Sequence, residues 1–235
     1  VKYKRVLLKL SGEQFAGSAG FGIDSGFINQ LAKDIKEIAS LNTEVAVVVG
    51  GGNFIRGMDI AKHGVERATA DYMGMLATIL NGMTLVDTLE ANGQPARLQS
   101  RLRVESVAEP YIRRRAIRHL EKGRVVIIAG GTGNPYVTTD TASVTGALEL
   151  ECQAVLKATK VDGVYDKDPM KHADAKKHDK LSHAEALQSP QINVMDNAAI
   201  SLAMDNKLPI IVFELSADNL KKVVQGQTIG TKVTS

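Results

Sequence analysis

Eleven residues, Gly130-Gly-Thr-Gly-Asn-Pro-Tyr-Val-Thr-Thr-Asp140, carry the densest set of groups able to do chemistry. They follow a short β-branched apolar run, 125–129, that reads as a buried strand, and precede small residues from Thr141 that read as a helix. Glycines in a strand-to-helix loop let backbone N–H groups approach an anion closely. Thr132, Asn134, Thr138 and Thr139 supply hydroxyls and an amide able to read the donors and acceptors of a small planar ligand. An ordinary polar loop with a Pro turn is the plainer alternative. Two further glycine loops follow apolar runs, each with a cation beside it: Lys9 before Ser11-Gly12, and Gly50-Gly-Gly-Asn53 before Arg56. A lone Lys at a strand end more often faces water, but the pairing recurs.

Cations and glycine loops gathered at one sheet edge suit phosphoryl transfer, where charge neutralisation and positioning dominate. Lys9 would bridge the migrating phosphoryl group, and Arg56 would grip phosphate oxygens with its planar fork of donors. Asp140, at a helix start, would hold the cations in place rather than attack. An acceptor phosphate is already largely deprotonated near neutrality, so no strong base is required. Neither G-x-x-x-x-G-K-[ST] nor the H-R-D and D-F-G pair occurs, which excludes P-loop and protein-kinase machinery.

The elements that must position these loops alternate along the chain. Strands are expected over 3–10, 44–49, 125–129, 154–159 and 208–213. Helices are expected over 25–41, 66–91, 112–121, 182–188, 196–206 and 216–225, with Asp196 as an N-cap. Gly74 and Gly82 within 66–91 point either to a close packing contact or to a break at Asn81-Gly82. Asp71, near the start of that helix, could accept two ribose hydroxyls or merely complement the helix N-terminus. A loop after 154–159 combines Thr159, Tyr165 and Asp168; Tyr165 could support an adenine, or the segment is a plain turn-rich connection. Residues 170–180 read as a charged surface loop. This order predicts an α/β fold: a three-layer α/β/α sandwich with a mostly parallel central sheet.

Composition bounds the rest. The 235 residues are 44% hydrophobic and 23% charged, enough for one large domain with an aliphatic core, since aromatics are only 4% and Trp is absent. The net charge of +3 suits anionic small molecules and nucleic acid alike. An arginine-rich band (Arg97, Arg101, Arg103, Arg113, Arg114, Arg115, Arg118, Arg124) raises a nucleic-acid patch. Stacking aromatics are nearly missing there, so a solvated face or an effector or subunit contact is favoured. A metal site at His172, His178 and His183 lacks tight ligand spacing. Single Cys152, no signal-like N-terminus and no membrane-length apolar run lead to the expectation of a cytoplasmic protein.

Lys9-Leu-Ser-Gly12, Gly50-Gly-Gly-Asn53, Gly131-Thr-Gly-Asn-Pro135 with Thr138-Thr-Asp140, and Lys157-Ala-Thr-Lys-Val-Asp-Gly-Val164 together resemble the bacterial uridylate (UMP) kinase family of the amino acid kinase superfamily. The resemblance runs from about Lys4 to the C-terminus, and Thr-Gly-Asn-Pro followed by Thr-Thr-Asp is its most specific part. It implies one amino acid kinase domain over 1–235, with the N-terminal part on the UMP side and the C-terminal part on the ATP side. It implies transfer from ATP, carried with Mg2+, to UMP, giving ADP and UDP. By the same resemblance, Lys9, Leu10, Ser11, Gly12, Gly52, Arg56, Thr159, Tyr165 and Asp168 match ATP-binding positions. Gly51, Asp71, Thr132, Gly133, Asn134, Pro135, Tyr136, Val137, Thr138 and Thr139 match UMP-binding positions. Asp196 matches a residue that orders the catalytic cations Lys9 and Arg56 with Asp140. Gly17, Ser18, Ala19, Gly20, Phe21 and Gly22 resemble a flexible activation segment, and Arg97 a basic effector position. The family implies a homohexamer, GTP activation and UTP inhibition, although Val86 stands where some members carry an Arg tied to GTP.

Overall fold

The computed structural model describes residues 2–55, 64–189, 191–192 and 194–235. A nine-stranded sheet forms its centre, built from β1 (Arg5–Leu10), β2 (Glu44–Val49), β3 (Ala96–Ser100), β4 (Glu109–Pro110), β5 (Val125–Ala129), β6 (Val155–Thr159), β9 (Lys180–Ser182), β10 (Ile210–Glu214) and β11 (Thr231–Thr234). The spatial order is β4-β3-β5-β2-β1-β6-β10-β11-β9, and every pairing is parallel except β10 with β11. A separate antiparallel pair, β7 (Val164–Tyr165) and β8 (Lys177–His178), lies outside the sheet.

The central strands are mostly apolar because both faces are covered, with Lys9 and Lys157 as charged exceptions within β1 and β6. Side chains alternate across a strand, so Val6, Leu8 and Leu10 enter one core while Leu7 enters the other. The same division places Val45, Val47 and Val49 opposite Ala46 and Val48, and Val125, Ile127 and Ala129 opposite Val126 and Ile128. The first core is closed by α2 (Ser25–Ser40), α3 (Arg67–Ala91) and α8 (Ala217–Val224). The second is closed by α4 (Arg113–Glu121), α5 (Thr139–Glu149), α6 (His183–Gln188) and α7 (Asn197–Asp205). The three-layer architecture is therefore as expected. Cys152 is a packing residue of the second core, its thiol pushed up to about 12 by burial.

Several elements differ from the sequence reading. Helix α3 is continuous through Asn81-Gly82, because Gly82 lies where a Cβ would come within 2.6 Å of Leu98 Cδ1. A Cβ on Gly74 would meet open space, but its carbonyl oxygen is the surface against which Gly51 packs. A four-residue helix, α1 (Gly12–Phe15), and a 3-10 turn over Gly17–Ala19 occupy the expected glycine-rich loop. The stretch 170–180 is not wholly loop, since it contains β8 and the start of β9. Strands β3, β4, β9 and β11 have no clear pattern in the sequence: they are short or carry polar residues, and their strand character depends on pairing with neighbouring strands. Among the described residues, no helix is long and apolar enough to cross a membrane.

Candidate active site

The carboxyl ends of β1, β2, β5 and β6 converge where β1 is flanked by β2 on one side and β6 on the other. In an open parallel sheet such a switch of direction opens a crevice. Lys9 and Lys157 are register partners across β1 and β6. Each stands two residues beyond a second-core residue, Leu7 and Val155, so both point to the face carried by α5. Asp140, in the first turn of α5, meets Lys9 Nζ at 2.8 Å and Lys157 Nζ at 3.3 Å. Lys157 Nζ also donates to the Val194 carbonyl.

Burial alone would raise the Asp140 pKa, but the ammoniums of Lys9 and Lys157 outweigh it and hold the carboxyl below its usual range. Burial pushes the Lys157 ammonium down, opposed by Asp140. Two ammoniums thus meet at one largely buried carboxylate, with Asp196 acting on Lys157 from further off, so both cations stand where an incoming phosphate can reach them.

The glycine loops of β1 and β2 touch backbone to backbone. A Cβ on Gly12 would fall 2.5 Å from Gly52 N, and one on Gly51 would fall 2.6 Å from Gly74 O. Below them a buried amide pair locks three segments. Asn81 of α3 donates to Gly50 O at 2.7 Å and to Asn53 Oδ1 at 2.7 Å. Asn53 Nδ2 donates to Gly22 O at 2.7 Å, and Gly22 N donates to Asn53 O at 3.1 Å. The segment 17–22 is thereby tied to the glycine triplet, and Phe21 meets the Phe54 ring edge-on at 5.9 Å between centroids.

The loop 131–139 closes a cleft together with α3. Gly51, Asp71, Val137, Thr138 and Thr139 line it, with Ala70, Met75 and Thr78 as the apolar and hydroxyl floor. Thr78 Oγ1 accepts from Gly130 N at 2.7 Å and so fixes the loop's start. Thr132 and Asn134 bond to one another within the loop; Gly133 and Pro135 complete that turn. Tyr136 adopts a left-handed backbone, φ 66°, held by its N–H to Asp71 Oδ2 at 2.8 Å and by Arg67 lying 5.6 Å from its ring. Asp71 does not serve the helix N-terminus, since it lies a full turn inside α3, beyond the reach of the end charge. Its carboxylate takes the Arg67 guanidinium at 2.9 Å and the Tyr136 N–H instead.

Thr138 caps α5, its hydroxyl accepting from Asp140 N at 3.1 Å, and it donates to Asp196. Asp196 accepts from Thr141 Oγ1 at 2.9 Å and caps α7 through Ala199 N at 2.9 Å. The expected N-cap is present, and it also ties the loop's end to α7.

On the other side of the β1 loop, Gln14, Gly17, Phe27, Thr159, Lys160 and Leu215 line a second concavity. Leu10 is buried beneath it in the first core, and Ser11 N donates to Gln14 Oε1 at 3.0 Å. Tyr165 and Asp168 do not line this concavity. Tyr165 hydroxyl donates to Asp162 at 2.5 Å, and Asp168 accepts from Met170 N at 3.0 Å. Arg97 lies near the amino end of β3, away from the crevice, paired with Glu90 at 2.8 Å. Arg56 lies outside the described residues.

Lys157, Asn81 and Thr78 were not singled out as site residues in the sequence. For Lys157 a signal existed: it is a lysine at an inward parity position of a buried strand. The arginine band gives a nucleic-acid reading no support. Arg97 pairs with Glu90, Arg101 with Glu149 and Arg113 with Glu151, while Arg124 bonds His119 at 3.0 Å. His183 is structural, held between the Leu208 carbonyl and the Ser235 hydroxyl.

The amino acid kinase family model matches residues 4–214. Among solved structures, a UMP kinase from Bacillus anthracis is 39% identical with a TM-score of 0.94, over 100% of this chain and 97% of that one. A UMP kinase from Ureaplasma parvum is 30% identical with a TM-score of 0.92, over the whole of both chains. A uridylate kinase from Archaeoglobus fulgidus is 28% identical with a TM-score of 0.74, over 97% of this chain and 99% of that one. A match that spans all four loops of the crevice as well as the sheet that carries them leaves one assignment: the chain belongs to the amino acid kinase family.

Proposed function

We propose that this chain transfers the γ-phosphoryl group of ATP to UMP, giving ADP and UDP, within a single domain spanning 1–235. The observation that carries the reading is the Lys9–Asp140–Lys157 cluster at the carboxyl ends of β1 and β6, where Asp140 bridges two ammoniums beside the residues that line the acceptor cleft. The cleft under loop 131–139 takes UMP, with Asp71 toward the sugar and the loop's threonines and Asn134 toward uracil. The concavity beside Thr159 takes ATP, with Ser11, Gly12 and Gly52 near its phosphates, and with Tyr165 and Asp168 approaching from the β7 hairpin. The γ-phosphoryl group then passes between them over Lys9.

In this arrangement Lys9 stabilises charge on the migrating group and Asp140 holds Lys9 in place. Lys157 completes the clamp, and Arg56, which follows the glycine triplet in the sequence, would add a guanidinium to the phosphates. Asp196 secures the loop through Thr138 and Thr141. The UMP phosphate oxygen attacks without a protein base. Mg2+ would neutralise charge on the ATP phosphates. Asp140 and Asp196 are both engaged by ammonium, hydroxyl or amide donors, which fits an ion held by phosphate oxygens and water rather than by a carboxylate cage. Cytoplasmic placement, a homohexamer, GTP activation, UTP inhibition, and effector roles for 17–22 and Arg97 complete the reading.

The test is ADP release with UMP, CMP, GMP, carbamate and amino acids offered in parallel. Preference for any acceptor other than UMP refutes the substrate assignment.

A further inference from the structure

Resting on the phosphotransfer reading above, we propose that Arg101 is a positioning residue for the acceptor loop 131–139, acting through Tyr111 and Glu149. The backbone of this residue packs on the start of the loop, and its side chain grips the far end of α5, the helix that follows the loop. At its start the contact is backbone: Arg101 N donates to Ala129 O at 3.1 Å. Gly130 lies so close that a Cβ would fall 2.9 Å from Leu102 N and 3.2 Å from Arg101 N, and a Cβ on Gly133 would fall 3.5 Å from Arg101 Cβ. Both glycines have positive φ, 78° and 81°, a backbone that favours glycine and lets the loop lie this close to Arg101.

The side-chain contact lies beyond the loop, at the C-terminal end of α5. The Arg101 guanidinium lies 4.2 Å from the centre of the Tyr111 ring. It forks onto Glu149, Nη1 at 3.5 Å from Oε1 and Nη2 on Oε2. The Tyr111 hydroxyl donates to the same Oε2 at 2.7 Å. Burial, and then Glu149, push the Tyr111 phenol up, so it stays a donor. Glu149 is the last residue of α5, the helix whose first turn carries Thr139 and Asp140. Arg113 adds a bond from Nε to the Glu149 carbonyl. Cations at a helix C-terminus are favourable, and a helix is stiff, so gripping its far end sets where its first turn stands. Arg101 thus grips a helix rather than facing solvent, while Arg103, Arg113, Arg114 and Arg115 stay exposed. A lysine could not replace Arg101, because it has neither the flat face for Tyr111 nor the fork for Glu149.

Amide hydrogen exchange, melting temperature and steady-state kinetics would be measured for wild type, Arg101→Ala, Arg101→Lys and Tyr111→Phe. Exchange in 131–139 should rise about tenfold in Arg101→Ala and Arg101→Lys, while β1 and β2 stay as in wild type. KM for UMP should rise about tenfold with KM for ATP within about twofold. Tyr111→Phe, which keeps the stack and removes one bond, should move loop exchange the same way by about twofold. Loop exchange unchanged, exchange rising evenly across the chain, or both KM values moving together would overturn the proposal. Should Arg101→Ala fail to fold, the Lys and Phe variants decide by the same readings. A wild-type protein inactive on UMP would sink the substrate assignment alone, since exchange still reports the hold on the loop.

Discussion

Lys9 and Lys157 stand directly opposite each other on adjacent parallel strands, two ammoniums on one face with a single carboxylate, Asp140, between them. Like charges at register positions repel. The arrangement persists because Asp140 reaches one oxygen to each. It holds two ammoniums side by side where a phosphate can engage them.

Lys9→Met should keep the fold and lose turnover. Methionine fills the same buried volume without the charge, and removing a group that stabilises transition-state charge lowers kcat by about 10²–10³-fold. Retained turnover, with circular dichroism showing a native fold, would remove Lys9 from the chemistry.

Asp140→Asn should destabilise as well as inactivate, because it leaves two neighbouring ammoniums uncompensated, at a cost of about 3 kcal/mol. The pH dependence has a definite sign. The folded carboxyl titrates below its ordinary value, so its stabilisation is fully present above the ordinary carboxylate range and is lost as pH falls through the folded pKa. Denaturant melts of both proteins should differ most near neutrality, the gap closing in acid.

Gly12→Ala tests the backbone contact between the two glycine loops. The added methyl would stand 2.5 Å from Gly52 N, so one loop must move. Overpacking of this kind costs about 1–3 kcal/mol. Thermal melts should register the loss, and KM for ATP should rise more than KM for UMP. Wild-type stability would mean that the two loops do not pack backbone to backbone.

Asn81→Leu removes the donor to Gly50 O and the partner of Asn53, stranding buried polar atoms at a cost of about 2 kcal/mol. The same change should loosen Gly22, which Asn53 holds. Faster proteolysis or exchange in 17–22 than in β1 is the expected local signature.

Thr138→Ala removes the α5 cap and the hydroxyl on Asp196 together. Loss of the cap alone costs about 1 kcal/mol. Thr138→Ser keeps both bonds and should restore stability and most turnover, measured by melting and ADP release.

The sequence by itself determined the layered fold and the three glycine loops. Runs such as 45–49 and 125–129 are apolar at every position and read as strands covered on both faces, and the 3–4 spacing in 25–41 leaves one buried helix face. Glycine-bearing stretches at the ends of such strands marked the crevice. What only the tertiary structure decided depends on pairing between distant segments. The partnership of Lys9 with Lys157 follows from the register of β1 against β6, which no local pattern carries. The buried polarity of Asn81 is stable only because Gly50 and Asn53 arrive beside it. Strands β3 and β11 have weak patterns and exist because hydrogen-bonding partners lie next to them. Local periodicity records which face is buried; it does not record against what, and the chemistry of this crevice lies in that second choice.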